Sequence, residues 1–140
     1  MNARVQPYIR QHCILLADFA VHALVAEVNL TPKPALVDQR GSGAHDDLTL
    51  ELMERSAHSL HPMFVAMAHA AFQHATCSQA LREAIGEIGR VGEANMLYAT
   101  NGVNTHRGAI WALGLMVTAA ALASFNAKPV QAVELCQLAG

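Results

Sequence analysis

Between Arg107 and Lys128 the chain runs through Gly108 to Ala127 without one charged side chain. At about 1.5 Å rise per residue, a helix of that length can cross a bilayer or form the buried helix of a bundle. Its centre, Thr118-Ala119-Ala120-Ala121, is only weakly apolar, and the sequence reads as having no second segment of this kind. The expectation is a buried helix at the centre of a helical domain, with no membrane partner.

The rest of the chain agrees with that class. Hydrophobic residues make up 53% of the 140 residues and charged residues 14%, which argues against disorder. No run alternates apolar and polar residues as a half-buried strand would, so the predicted fold is all-α, a compact bundle of five to six helices. A net charge of −2 lacks the basic footprint of a nucleic-acid binder and leaves small anions open as ligands. Cys13, Cys77 and Cys136 show no metal-like spacing and read as reduced, buried thiols of a cytoplasmic protein. Arg4 and Arg10 precede no small-residue cleavage site, so no secretory signal is read.

Helical spacing predicts a first helix over 7–28, with Ile9, Leu16, Ala20 and Ala23 on one stripe and Glu27 at its end. Asp18 and His22 are placed to pair along it at i, i+4. Thr31-Pro32-Lys33-Pro34 stops the helix. A long connection then carries Lys33, Asp38, Arg40, His45, Asp46 and Asp47. Asp46 or Asp47 can cap the next helix, which carries Leu52 and Ser56 towards Leu60, and Pro62 either kinks that helix or opens another. Met63, Met67, Ala70 and His74 continue the spacing. Ser78 caps a segment reaching Tyr98, in which Gly86, Gly89 and Gly92 form a ridge where another backbone can approach closely. Asn101-Gly102 marks a turn, Asn104 or Thr105 caps the uncharged helix, and a last helix is expected over 129–140.

Two polar clusters stand out on this apolar frame. Asp38, His45, Asp46 and Asp47 suit a hard cation such as Mg²⁺ with a bound polyphosphate, and equally suit a solvated acidic loop. Asn104, Thr105, His106 and Arg107 sit where a helix start favours anions, or they form an ordinary capped terminus. His58, His61, His69 and His74 close no zinc-like set. Together the clusters suggest a site for a metal-bound polyphosphate.

Three strings carry a resemblance. They are Glu27-Val28-Asn29-Leu30-Thr31-Pro32-Lys33-Pro34-Ala35-Leu36-Val37-Asp38, Gly41-Ser42-Gly43-Ala44-His45, and Gly102-Val103-Asn104-Thr105-His106-Arg107-Gly108-Ala109-Ile110-Trp111. In this order they resemble the triphosphoribosyl-dephospho-CoA synthase family. The Gly-Ser-Gly-Ala-His and Arg-Gly-Ala-Ile-Trp-Ala-Leu-Gly runs look most like its malonate decarboxylase branch. The resemblance implies a transferase that joins ATP to 3′-dephospho-CoA and releases adenine. The product, 2′-(5″-triphosphoribosyl)-3′-dephospho-CoA, is destined for an acyl carrier protein subunit.

Chemistry then suggests roles for the matching residues. Asp38, Asp46 and Asp47 would hold Mg²⁺ on the triphosphate of ATP. Lys33, Asn104, Thr105, His106 and Arg107 would bind phosphate, and His45 or Glu27 would act as the base. Ala35 replaces a glycine usual in the family. The family's chains continue well beyond position 140, so residues 1–140 read as the N-terminal part of a synthase domain. Little turnover is expected from it alone, with self-association or a complementing C-terminal segment covering apolar helix faces. Two rival readings are an HD-type metal phosphohydrolase built on His45, Asp46 and His22, and an inactive nucleotide-binding helical fragment.

Overall fold

The computed structural model of the chain describes residues 6–30 and 49–125. These form five helices: α1 (Gln6–Asn29), α2 (Leu50–Ser59), α3 (His61–His74), α4 (Gln79–Ala99) and α5 (Arg107–Phe125). The described residues contain no strand, and the chain is all-α as its periodicity predicts. The helix expected over 129–140 lies outside the described residues.

Helix α3 is the hub, and it alone among the described helices packs against all four others. Its sequence carries no Asp, Glu, Lys or Arg, so every face can be buried without stranding a fixed charge. Phe64 and Met67 are fully enclosed, each contributing about 1.5–3 kcal/mol of burial. Ala68 and Ala71 are enclosed too, and their small side chains let neighbouring helices approach. The expectation that α5 is the central helix is corrected here. Trp111 and Met116 keep part of α5 at the surface.

Two of α3's methionines are seated in glycine gaps. A Cβ on Gly92 of α4 would overlap Met63, and one on Gly114 of α5 would lie 2.6 Å from the Met67 sulfur. Gly89 holds a second kind of contact, since a Cβ there would come within 2.9 Å of the Trp111 ring. The glycine ridge of α4 therefore receives side chains, where a neighbouring backbone was expected. Gly86 takes no part in it. Its nearest neighbour would be the Arg90 guanidinium, at 3.4 Å.

Local signals set most helix ends. The Ser78 side chain accepts from Leu81 N–H at 3.1 Å, as its position predicts. Pro62 opens α3 in its first turn rather than kinking α2. Asn101 and Gly102 both adopt positive φ, 56° and 87°, making the tight turn before α5. At α2 the cap is Thr49, whose hydroxyl accepts from Leu52 N–H at 3.1 Å, whereas Asp46 or Asp47 was expected.

The buried stripe of α1 is Ile9, Cys13, Ala17, Ala20, Val21, Leu24 and Val28. Ala23 and Glu27, expected on that stripe, are exposed instead. By length and mean hydropathy α1 also passes as a candidate span beside residues 107–124, so the apolar segment of α5 is not the one such stretch.

Two outcomes follow from this packing. Gly92→Val should lower stability by about 1–3 kcal/mol through overpacking against Met63. Gly86→Ala should be neutral or raise it by up to about 1 kcal/mol, both read from urea unfolding midpoints. The thiols should also differ. Cys77 is exposed, contrary to expectation, while Cys13 is buried and its pKa is pushed up by desolvation, partly offset by a backbone hydrogen bond. Iodoacetamide at pH 8 should therefore modify Cys77 well before Cys13, as read by peptide mass mapping.

Candidate functional site

Helix α2 lies between two of the signature strings and bonds to both. On one side the Asn29 side-chain amide donates to Glu54 Oε1 at 2.9 Å and to the Val25 carbonyl at 2.8 Å. On the other, the Ser56 hydroxyl meets Thr105 Oγ1 and lies 2.7 Å from His106 Nδ1. Residues two apart on a helix point to different flanks, so Glu54 and Ser56 can serve opposite neighbours at once. Sequence reasoning missed Glu54 in this role, and it noted Ser56 only as a helix position. Spacing could not single them out, because α2 also carries Glu51, Arg55, His58 and Ser59.

The turn that delivers residues 104–107 is braced from below. Buried Thr100 places its hydroxyl 2.7 Å from the Val103 carbonyl and 3.0 Å from the Met96 carbonyl. Gly102 N–H donates to Leu97 O at 2.7 Å, and His106 N–H points at the Met96 sulfur at 3.3 Å. The His106 carbonyl then accepts from Ile110 N–H at 3.0 Å, which makes His106 the residue from which α5 starts. Thr105 is engaged with Ser56 across the interface with α2.

The four residues expected to contact phosphate are thus differently placed. Asn104 and Arg107 are exposed, Thr105 is half-buried and His106 is buried with its ring against Ser56. Arg107 Nε donates to Glu93 Oε1 of α4 at 2.6 Å while 54% of its side chain stays exposed. A pair this exposed contributes at most about 1 kcal/mol to stability. Its geometry fixes the guanidinium beside the first turn of α5, where N–H groups lack intrahelical partners and the dipole favours anions.

Glu27 is exposed near the C-terminal end of α1. Lys33, Asp38, His45, Asp46 and Asp47 lie outside the described residues. Their segment joins Leu30, at the end of α1, to Thr49, the cap of α2, so both of its anchors adjoin the helix that bonds to the two strings. Among the described residues no three His, Cys, Asp or Glu side chains are arranged to hold a metal ion. Asp18 bonds to His61 of α3 at 2.7 Å rather than pairing with His22.

Replacing Ser56 by Val should cost about 1–3 kcal/mol, because a buried imidazole nitrogen would lose its hydroxyl partner. Chemical denaturation of the variant, compared with His58→Ala at the surface of the same helix, checks this. Equal stability of Ser56→Val and the parent would contradict the bracing role.

Comparison with known proteins identifies the family. The family described as ATP:dephospho-CoA triphosphoribosyl transferase matches residues 13–138. A protein of Pseudomonas savastanoi pv. phaseolicola, named probable 2-(5″-triphosphoribosyl)-3′-dephosphocoenzyme-A synthase, is 67% identical over 114 residues, which cover 81% of this chain and 39% of that protein. A protein of the same name from Azotobacter vinelandii is 63% identical over 115 residues, covering 82% of this chain and 39% of its own length. One from Pseudomonas aeruginosa is 58% identical over 125 residues, 89% of this chain and 42% of that protein. The chain therefore spans about two fifths of the length of the curated relatives it matches. No solved structure is significantly similar to it. With a family match over nearly its whole length, and two of the signature strings held on opposite flanks of α2, the chain belongs to the ATP:dephospho-CoA triphosphoribosyl transferase family.

Proposed function

We propose that this chain contributes the triphosphate-binding part of an enzyme that transfers a triphosphoribosyl group from ATP to 3′-dephospho-CoA. The observation that carries this reading is the family match over residues 13–138, together with Arg107 held beside the start of α5. In the proposed reaction the 2′-hydroxyl of dephospho-CoA attacks C1′ of the ATP ribose. The C1′–N9 bond breaks, adenine leaves and takes up a proton at N9, and the hydroxyl proton passes to a base. His45 and Glu27 are the candidates for that base.

The transition state is oxocarbenium-like, so its cost falls when the triphosphate is held still and the attacking oxygen is aligned. Arg107 offers its remaining guanidinium donors as a fork to phosphate oxygens, and Asn104 adds an amide at the exposed edge. Lys33 is a further phosphate contact in the proposal. Mg²⁺, held by Asp38, Asp46 and Asp47, would neutralise triphosphate charge. His106 and Thr105 serve chiefly by fixing the turn, since both are engaged with Ser56.

The destination of the product, the acyl carrier subunit of malonate decarboxylase, is proposed on the wording of the Gly41–His45 and Arg107–Gly114 runs. A cytoplasmic setting belongs to the same proposal. So does the need for further polypeptide, given the share of the relatives that this chain spans.

Titration with ATP and Mg²⁺ by calorimetry tests the binding half. Arg107→Ala should weaken ATP binding at least about tenfold, the equivalent of one charged hydrogen bond, while stability changes by no more than about 1 kcal/mol. Equal affinity at matched stability contradicts the phosphate role. Chromatography after incubation with ATP, Mg²⁺ and dephospho-CoA tests the chemistry. Adenine formed only when dephospho-CoA is present supports the transfer. Phosphate or pyrophosphate released without adenine contradicts it.

A further inference from the structure

Helix α1 is apolar on two faces, and the described residues cover only one of them. Opposite the buried stripe, Tyr8, Leu15 and Phe19 are 73%, 50% and 64% exposed. A helix hydrophobic all round is normally enclosed all round. Between Gln11 and Ala26 the one charged side chain of α1 is Asp18, and it is bonded to His61. Tyr8, Leu15 and Phe19 together leave on the order of 350 Å² of largely apolar surface outside, a patch of the size that marks an interaction site.

The spacing of this face indicates what covers it. Tyr8, Leu15, Phe19 and Ala26 follow one another at intervals of seven, four and seven, while His12, at the edge of this face, is turned onto the fold, with Nε2 3.0 Å from Ser124 Oγ and its ring edge-on to Phe72. Steps of four and seven residues keep to one face of a helix, as the seam of a helix pair requires. It also reads the same in both directions. Two copies of α1 laid antiparallel about a two-fold axis would bring Leu15 of each against Phe19 of the other at the centre. At the ends large Tyr8 would face small Ala26. The seam is complementary to itself, as an isologous interface requires.

We propose that α1 pairs antiparallel with α1 of a second copy of this chain, through the seam from Tyr8 to Ala26. Among the described residues this face points outward, because Ile9, Cys13, Ala17 and Leu24 turn the opposite side onto the core. The apolar patch is smaller than the roughly 800 Å² per partner of a tight complex, so the dimer is expected to form in the micromolar range. The pairing does not depend on the proposed reaction.

Analytical ultracentrifugation of the whole chain over a concentration series tests it. The parent should show a monomer–dimer equilibrium. Leu15→Lys and Phe19→Glu should each raise the dimer dissociation constant at least about tenfold, the effect of losing a central apolar anchor. Circular dichroism checks that each variant keeps its helix content. Tyr98→Glu, at an exposed site on α4, should leave the equilibrium unchanged. Register has its own test. A 1:1 mixture of the Leu15→Lys and Phe19→Glu chains should associate more tightly than either alone, because the antiparallel seam sets those two positions against each other. A monomeric parent would overturn the proposal, and would mean that this face is left bare or is covered by polypeptide of the kind the longer relatives carry. Unchanged association of both variants, or a mixture no tighter than its components, would overturn it as well.

Discussion

The fold depends on two thioethers filling two glycine gaps. Met63 sits over Gly92 of α4, and Met67 sits over Gly114 of α5, with both methionines on the same face of α3. Unbranched methionine is suited to such gaps, since its flexible chain adapts to the shape a missing side chain leaves. These contacts let α4 and α5 approach α3 closely. Because α4 runs directly into the turn that starts α5, the seating of α3 also sets where residues 100–107 emerge. Thr100, buried beneath that turn, then fixes its path through carbonyl contacts on both sides.

Helix α2 ties that scaffold to two of the signature strings. It is the shortest of the described helices, and it is held by side-chain hydrogen bonds to both neighbours, Asn29 to Glu54 and Ser56 to His106. Those bonds tie the end of α1 to the start of α5. The signature residues at positions 29, 105 and 106 thus gain fixed positions from a helix that carries none of the signature itself. Arg107 is aimed differently, by a carboxylate of α4 that leaves much of the guanidinium in solvent. In the proposed function, pre-positioning of this kind would lower the entropy cost of gripping a flexible triphosphate.

Much of this was legible in the sequence, and the misses have physical causes. The Ser78 cap, the opening of α3 at Pro62 and the Asn101-Gly102 turn were readable because each rests on local geometry. The central helix was not. From Ser56 to Leu81 the sequence has no Asp, Glu, Lys or Arg, a longer charge-free run than Gly108 to Ala127. Four histidines and a proline lower its apparent hydropathy and hide it. The register of α1 was misread because that helix is apolar on both faces, so periodicity alone cannot say which face is inward. Tertiary partners such as His61 for Asp18, and Glu54 for Asn29, are invisible to spacing rules within one helix.

The central claim is that α2 gathers the end of α1 and the start of α5 into one site for the triphosphate of ATP. Backbone amide shifts of the isotopically labelled chain, followed by NMR as ATP and Mg²⁺ are added, test it most directly. The account predicts the largest shifts in residues 104–110, with linked shifts in 27–30 and around Glu54 and Ser56. Shifts confined to the apolar groove between α3 and α4, around Ala66, Ile88 and Val91, would contradict it.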